Sequence, residues 1–228
     1  MVVGGRAGYI LGAMAGKFIT FEGGEGAGKS TQIRRLAARL AASGRAVATT
    51  REPGGTPTAE TIRRLLLAGL AEHLGPEGEA ILFAAARADH VERVIRPALA
   101  AGEWVLSDRF LDSTHVYQGA TGGVDERLLK SLDRVAVGRT RPDLTLILDV
   151  PAAIGLARAS ARLARGGAAP DRFEREAVDL HERRREAYIA IAAAEPERCM
   201  VIDATRPEDD VSEAIWEVVS ARLIRRAA

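Results

Sequence analysis

Eight residues, Gly23-Gly24-Glu25-Gly26-Ala27-Gly28-Lys29-Ser30, carry the spacing G-x-x-x-x-G-K-[ST], in which each residue type has a task in holding phosphate. The glycines allow positive φ and let successive backbone N–H groups turn inward, forming a concave nest for an anion. The nest opens into a helix beginning near Thr31, whose unpaired first-turn amides add to the attraction. Lys29 is placed to reach the outer phosphates of a nucleoside triphosphate, and the Ser30 hydroxyl to ligate Mg²⁺. A glycine-rich turn of purely structural purpose needs one or two of these glycines and neither the lysine nor the serine.

Further anion and metal chemistry sits at two more places where an apolar run ends. Arg51-Glu52-Pro53-Gly54-Gly55-Thr56 follows one such run and Asp108-Arg109 another. Ligands of open α/β sheets lie beyond the carboxyl ends of the strands, so the three segments predict one crevice. Arg51 and Arg109 suit a second phosphate group facing the triphosphate, because a guanidinium holds phosphate oxygens bidentately. The pattern suits phosphoryl transfer between two nucleotides better than hydrolysis. Asp108 is the preferred carboxylate to join Ser30 around Mg²⁺. Asp149 is the rival, ending the apolar run Leu144–Asp149, but as it stands just before Pro151 it is equally explained as a helix N-cap.

Phe83 and Arg87 lie four residues apart on one predicted helix face, where the ring can stack on a planar base and the guanidinium can donate to its carbonyl edge. Taken alone, a core phenylalanine beside a surface arginine accounts for the same pair. Arg158, Arg162 and Arg165 recur at i, i+4 and i+7 and lead into the glycine-rich stretch 165–170, which reads as a hinged lid over about 158–173. A solvated helix face is the commoner origin of such a stripe. The run Arg183-Arg184-Arg185 reads as surface.

The elements that must position these residues alternate. Phe18–Glu22, Ala46–Thr50, Trp104–Ser107, Leu144–Val150 and Met200–Asp203 read as strands, with helical patterns in every gap. That alternation predicts an α/β fold, a five-stranded parallel sheet with helices on both faces. Helices are predicted from Thr31 to Ala42, from Pro57-Thr58, and from Gly75-Pro76 to Gly102, the last kinked by Pro97. Residues 17–226 read as one domain. Residues 1–16 read as a disordered extension, or as a start placed too early with Met14 the true start; Ala13-Met14-Ala15 resembles a signal cleavage site, but the charged n-region is weak and glycine breaks the apolar run.

With charged residues at 28% and a net charge of +1, the chain has no field suited to a nucleic-acid backbone or an anionic membrane. No run approaches the roughly 20 apolar residues of a membrane span. A single cysteine, Cys199, permits no internal disulfide, points to a reducing cytoplasm, and is expected to pack within a strand.

The segments FEGGEGAGKSTQ, TREPGGT, LFAAAR, VLSDRF, STHVYQG, RPDLTLILDV, DRFE and VIDAT, spread from about Lys17 to Leu223, resemble in order and spacing those of the bacterial thymidylate kinases. The resemblance implies the P-loop nucleotide-enzyme fold and transfer of phosphate from ATP to dTMP with Mg²⁺, giving dTDP for dTTP biosynthesis, in a cytoplasmic homodimer. It implies that Glu25 contacts the sugar 3′-hydroxyl, that Arg51 and Arg109 bind the dTMP phosphate, and that Phe83 stacks on thymine while Arg87 reads its carbonyl. Ser113, Tyr117 and Gln118 match positions lining the nucleoside pocket. ATP would lie on Gly23 to Thr31. Family members carry the catalytic arginine either in the P-loop or in the lid; Gly26 in the P-loop position assigns this chain to the second kind, with Arg162 first and Arg158 and Arg165 behind it, alongside Lys29 and Arg109. The lid is longer than the usual R-G-E-x-D-R-[FI]-E form, and His115-Val116 precedes Tyr117 where alanine is commoner. A kinase for another nucleoside monophosphate would differ at Phe83, Arg87 and Tyr117. A non-catalytic P-loop switch would leave Arg51 without a purpose.

Overall fold

The computed structural model describes residues 16–165, 173 and 176–225. The expected extension before Gly16, most of the glycine-rich part of the lid and the end at residue 226 lie outside the described residues.

Five strands form one parallel sheet: β1 (Phe18–Glu22), β2 (Val47–Arg51), β3 (Trp104–Asp108), β4 (Leu144–Asp149) and β5 (Cys199–Asp203), in the order β2-β3-β1-β4-β5. The predicted strands are all present, with ends displaced by a residue at most. Around them lie α1 (Lys29–Ala42), α2 (Pro57–Leu67), α3 (Gly75–His90), α4 (Arg96–Ala100), α5 (Leu111–Thr114), α6 (Glu126–Ala136), α7 (Ala152–Ala164), α8 (Val178–Ala194) and α9 (Glu208–Val219). The long third helical pattern is interrupted as Pro97 predicts. A π turn over Val91–Ile95 separates α3 from α4, and the proline sits in the first turn of α4, where its missing N–H breaks no bond of that helix.

Because β1 is central and covered on both faces, all five of its residues are buried. The strand alternation sorts them. Ile19 and Phe21 join Leu36 and Leu40 of α1 and Ile215 and Val219 of α9 in one core. Phe18 packs on the other face with Val105, Phe110 and Ile95, and Thr20 hydrogen-bonds Thr145 at 2.7 Å. The same period of two turns Glu22 to that second face, beneath α5 and α8. In register, Phe21 pairs with Asp108 and Arg51 with Asp108, so the chemistry-bearing strand ends share one edge of the sheet.

One expectation at that edge is corrected. Asp149 caps no helix: its two oxygens accept from Arg185 Nε at 2.6 Å and Nη2 at 3.0 Å. The first amide of α7, Ala152 N–H, donates instead to Glu182 at 2.9 Å. A bidentate arginine outcompetes a single amide for a carboxylate, so the cap is supplied from α8. Among the described residues no helix is long and apolar enough to cross a membrane.

Candidate active site

The P-loop closes between β1 and α1, and its glycines do what the motif requires. Gly26 stands at φ 66°, and a Cβ there would lie 1.9 Å from the Gly155 carbonyl oxygen. The loop therefore packs backbone to backbone on the start of α7, which only glycine permits. Lys29 Nζ donates back to the carbonyls of Gly23 at 3.1 Å and Gly24 at 2.9 Å, which holds its ammonium over the cradle. Burial lowers the Lys29 pKa and Arg109 adds to that, while Glu25, Asp108 and Glu22 oppose it. The Ser30 hydroxyl donates to Asp108 at 2.7 Å. Two hard oxygen ligands, one from the first turn of α1 and one from the end of β3, thus meet at the cradle, a donor set suited to Mg²⁺.

Arg109 crosses the floor of the crevice. Its backbone is left-handed, with φ 68°, the one such non-glycine residue among those described. The turn is held by Arg109 N–H to Phe21 O at 2.9 Å and by Ser107 Oγ to Arg109 O at 2.8 Å. The guanidinium donates from Nη2 to Glu25 at 2.5 Å, and from Nη1 to Ser113 Oγ at 3.2 Å and Tyr188 OH at 3.1 Å. Burial works against the charge of Glu25, but Arg109 and then Lys29 outweigh it and hold the carboxyl down to about 2. Glu22 behaves oppositely. Burial, reinforced by Asp112, pushes its carboxyl up to about 7 against the pull of Arg109.

A cavity of about 550 Å³ runs from this floor outward. It is lined by P-loop residues 25–31, by Arg51, Phe83, Arg87, Asp108, Arg109, Ser113, Tyr117 and Gln118, and by Arg162 of α7. Arg51 is half exposed and donates to Glu60 at 2.8 Å. Arg87 is not a surface arginine. It is 3% exposed, donates from Nε to Glu52 at 2.7 Å and from Nη2 to Phe110 O at 3.1 Å and Thr114 Oγ1 at 2.9 Å, and lines the cavity together with Phe83. Tyr117 lies between two guanidinium groups, with Arg109 at 5.1 Å and Arg184 at 4.1 Å from the ring, and meets Phe173 edge-on at 5.5 Å. Burial pushes the Tyr117 hydroxyl up to about 12.

A sequence profile of the thymidylate kinase family matches residues 21–215. Thymidylate kinase of Rhodopseudomonas palustris strain CGA009 is 56% identical over 216 residues, covering 94% of this chain and 93% of the relative. That of Nitrobacter winogradskyi is 56% identical over 209 residues, covering 92% and 90%. The chain belongs to the thymidylate kinase family. The crystal structure of thymidylate kinase from Ehrlichia chaffeensis shares the fold with a TM-score of 0.71 and 32% identity, covering 90% of this chain and 99% of that one. As a thymidylate kinase family member the chain has the parallel α/β sheet of P-loop enzymes.

Within the family frame the three lid arginines separate. Arg162 lines the cavity. Arg158 donates to the carbonyls of Ala204 at 2.8 Å and Thr205 at 3.4 Å, beyond β5. Arg165 ends α7 without lining the cavity. Gly23 and Gly24, expected to lie against ATP, are not among the residues lining the cavity; their carbonyls accept from Lys29.

Several residues of the site left no sequence signal, or a misleading one. The Arg183-Arg184-Arg185 run is surface only in part: Arg184 is 4% exposed, paired with Glu176, and donates to Thr121 Oγ1 at 3.4 Å. Tyr188, one turn further along α8, is 1% exposed. Glu22 looks in the sequence like the last residue of a strand, and only the neighbours α5 and α8 reveal what it holds.

Proposed function

We propose that the chain transfers the γ-phosphoryl group of ATP to dTMP, giving dTDP and ADP, with Mg²⁺ bound by Ser30 and Asp108. The observation that supports this reading is that a single cavity is lined both by the P-loop and by Arg51 and Arg109, one cradle and one cationic pair for two phosphate groups. ATP lies on residues 23–31. The acceptor lies with its base between Phe83 and Arg87, its sugar at Glu25 and Tyr117 near Ser113 and Gln118, and its phosphate on Arg51 and Arg109. An attacking phosphate oxygen of dTMP is already ionised, so no strong general base is required. The protein's contribution is to align donor and acceptor oxygens and to place positive charge where negative charge spreads in the transition state, through Lys29, Arg109 and the lid. Ser30 and Asp108 would hold Mg²⁺, which would supply positive charge to offset that of the donor's phosphates.

Turnover of ATP measured against dTMP, dUMP, UMP, CMP, AMP and GMP, each with and without Mg²⁺, tests the reading. Selective, Mg²⁺-dependent phosphorylation of dTMP is expected. Preference for another acceptor moves the chain to a neighbouring specificity, and turnover indifferent to acceptor removes the kinase mechanism.

The working unit is a homodimer formed by α2, α3 and α6. Leu65, Leu70, Leu74, Ile81 and Val135 expose 37%, 66%, 48%, 52% and 84% of their surface on or beside these neighbouring helices, the apolar face that a second copy would cover. Sedimentation as a monomer at micromolar concentration would overturn this assignment. Cys199, buried and with its thiol pushed up to about 12 by burial, suits the reducing cytoplasm in which dTMP and ATP are met.

A further inference from the structure

Glu22 ends β1 immediately before the P-loop, and its carboxylate is fully buried. A buried carboxylate needs donors on both oxygens, and here they come from two other elements. Oε1 accepts from Phe110 N–H at 2.7 Å; Oε2 accepts from Ser113 Oγ at 2.6 Å and from Tyr188 OH at 3.1 Å. Both hydroxyls are the groups that Arg109 Nη1 touches, at 3.2 Å and 3.1 Å, and they stand 2.8 Å from each other.

The directions of these bonds are constrained. A guanidinium only donates, so each hydroxyl must turn a lone pair toward Arg109. Above about pH 7, where the raised Glu22 carboxyl is ionised, it only accepts, and so draws both hydroxyl protons to the opposite side. An arrangement in which one hydroxyl points its proton at the arginine is thereby excluded. The Phe110 amide bond meanwhile pins the residue that follows Arg109, at the turn where the arginine backbone is held in the left-handed region.

We infer that Glu22 is a positioning residue for the phosphoryl transfer, orienting the Ser113 and Tyr188 hydroxyls and the turn at residue 110 so that Arg109 is held at the acceptor phosphate. The inference rests on the role given to Arg109 above. Glu22 touches neither substrate; it acts through the arginine. Glu25 holds Nη2 from the other side at 2.5 Å, so the guanidinium is fixed by a carboxylate directly on one side and by a carboxylate through two hydroxyls on the other. The other charged groups near Glu22 are Asp112, itself bound by Arg198 through two bonds of 2.7 Å and 2.8 Å, together with Arg109 and Lys29.

The experiment is a double-mutant cycle at pH 8 with saturating ATP and Mg²⁺, using Glu22→Gln, Arg109→Lys and the pair, with kcat and the KM for each substrate determined separately. Glutamine keeps the shape and the acceptor for Phe110 N–H, but aims an amide donor at the hydroxyls and breaks the constraint on their direction. Glu22→Gln is expected to lower kcat about 10- to 100-fold, the scale of a positioning error near 1 Å, while the KM for ATP stays within twofold. In the Arg109→Lys background the same change is expected to cost less than threefold, because a residue acting through Arg109 has nothing left to position. Tyr188→Phe, which removes one hydroxyl and no charge, should show a smaller loss in the same pattern and serves where Glu22→Gln folds poorly. Equal losses in the two backgrounds, or unchanged kcat per folded molecule with only a lowered melting temperature, would overturn the inference. Full turnover by Arg109→Lys would instead overturn the role of Arg109 itself, which distinguishes the two failures.

Discussion

Arg162→Ala is expected to lower kcat by about 10³- to 10⁵-fold, the range lost when an arginine that neutralises a transferring phosphoryl group is removed, with the KM for dTMP changed by less than about threefold. The expectation follows from elimination around one cavity. Transition-state charge on the γ-phosphoryl calls for a cation besides Lys29, and of the three arginines at 158, 162 and 165 Arg162 is the one that lines the cavity. Arg158 is turned to the carbonyls of Ala204 and Thr205. Position 26 of the P-loop cannot supply a further arginine, because Gly26 has positive φ and the Gly155 carbonyl where a Cβ would go. Steady-state kinetics of Arg162→Ala check the claim, and adding Gly26→Arg to it should restore nothing and reduce the folded yield. Near-normal turnover of the single variant would pass the role to another lid residue; rescue by Gly26→Arg would show that the loop can open away from α7.

That separation of the lid arginines illustrates what a sequence conveys and what it withholds. The stripe at 158, 162 and 165 starts its side chains from one side of a helical pattern, since residues four and three apart lie within about 40° and 60° of one another around a helix, with Arg165 just past the end of α7. Long side chains, however, go where acceptors are, and the acceptors for Arg158 belong to the loop after β5, more than forty residues away in the chain. The P-loop, Arg51 and Asp108 were legible because their tasks are local: a nest, a strand end, a helix start. Phe83 and Arg87 were legible as a pair by helical spacing, but the burial of Arg87 depends on Glu52 and Thr114 from two other elements. Glu22 and Tyr188 were not legible at all. A glutamate ending an apolar strand has the same local pattern whether it faces water or three donors, and the donors lie 88, 91 and 166 residues downstream. Arg184 failed for the same reason in reverse: three consecutive arginines look solvated until Tyr117 and Glu176 are brought beside the middle one.

Arg109 joins both halves of the argument, and replacing it should separate rate from stability. Arg109→Ala is expected to lose about 10³-fold or more in kcat and, in addition, about 3–5 kcal/mol of stability, because Glu25 is left largely buried without its nearest cation. In the parent, the Glu25 carboxyl lies at about 2 in the folded protein against an ordinary 4.5. A depressed carboxyl stabilises the fold above its ordinary value and loses that contribution as pH falls through the folded value, here on the order of 3 kcal/mol between pH 5 and pH 2. The stability gap between parent and variant should therefore be widest near pH 6–7 and narrow as the pH is lowered toward 2. Arg109→Gly provides the second comparison. At φ 68° alanine pays a left-handed penalty that glycine does not, offset in part by the greater freedom of glycine in the unfolded chain, so Arg109→Gly should be more stable than Arg109→Ala by about 1 kcal/mol while being no more active. Urea denaturation of the three proteins across pH, with kcat measured alongside, separates the effects. An alanine variant more stable than the glycine variant would contradict the strained turn, and a gap independent of pH would contradict the electrostatic tie between Arg109 and Glu25. Turnover that survives both substitutions would place the acceptor phosphate on Arg51 alone.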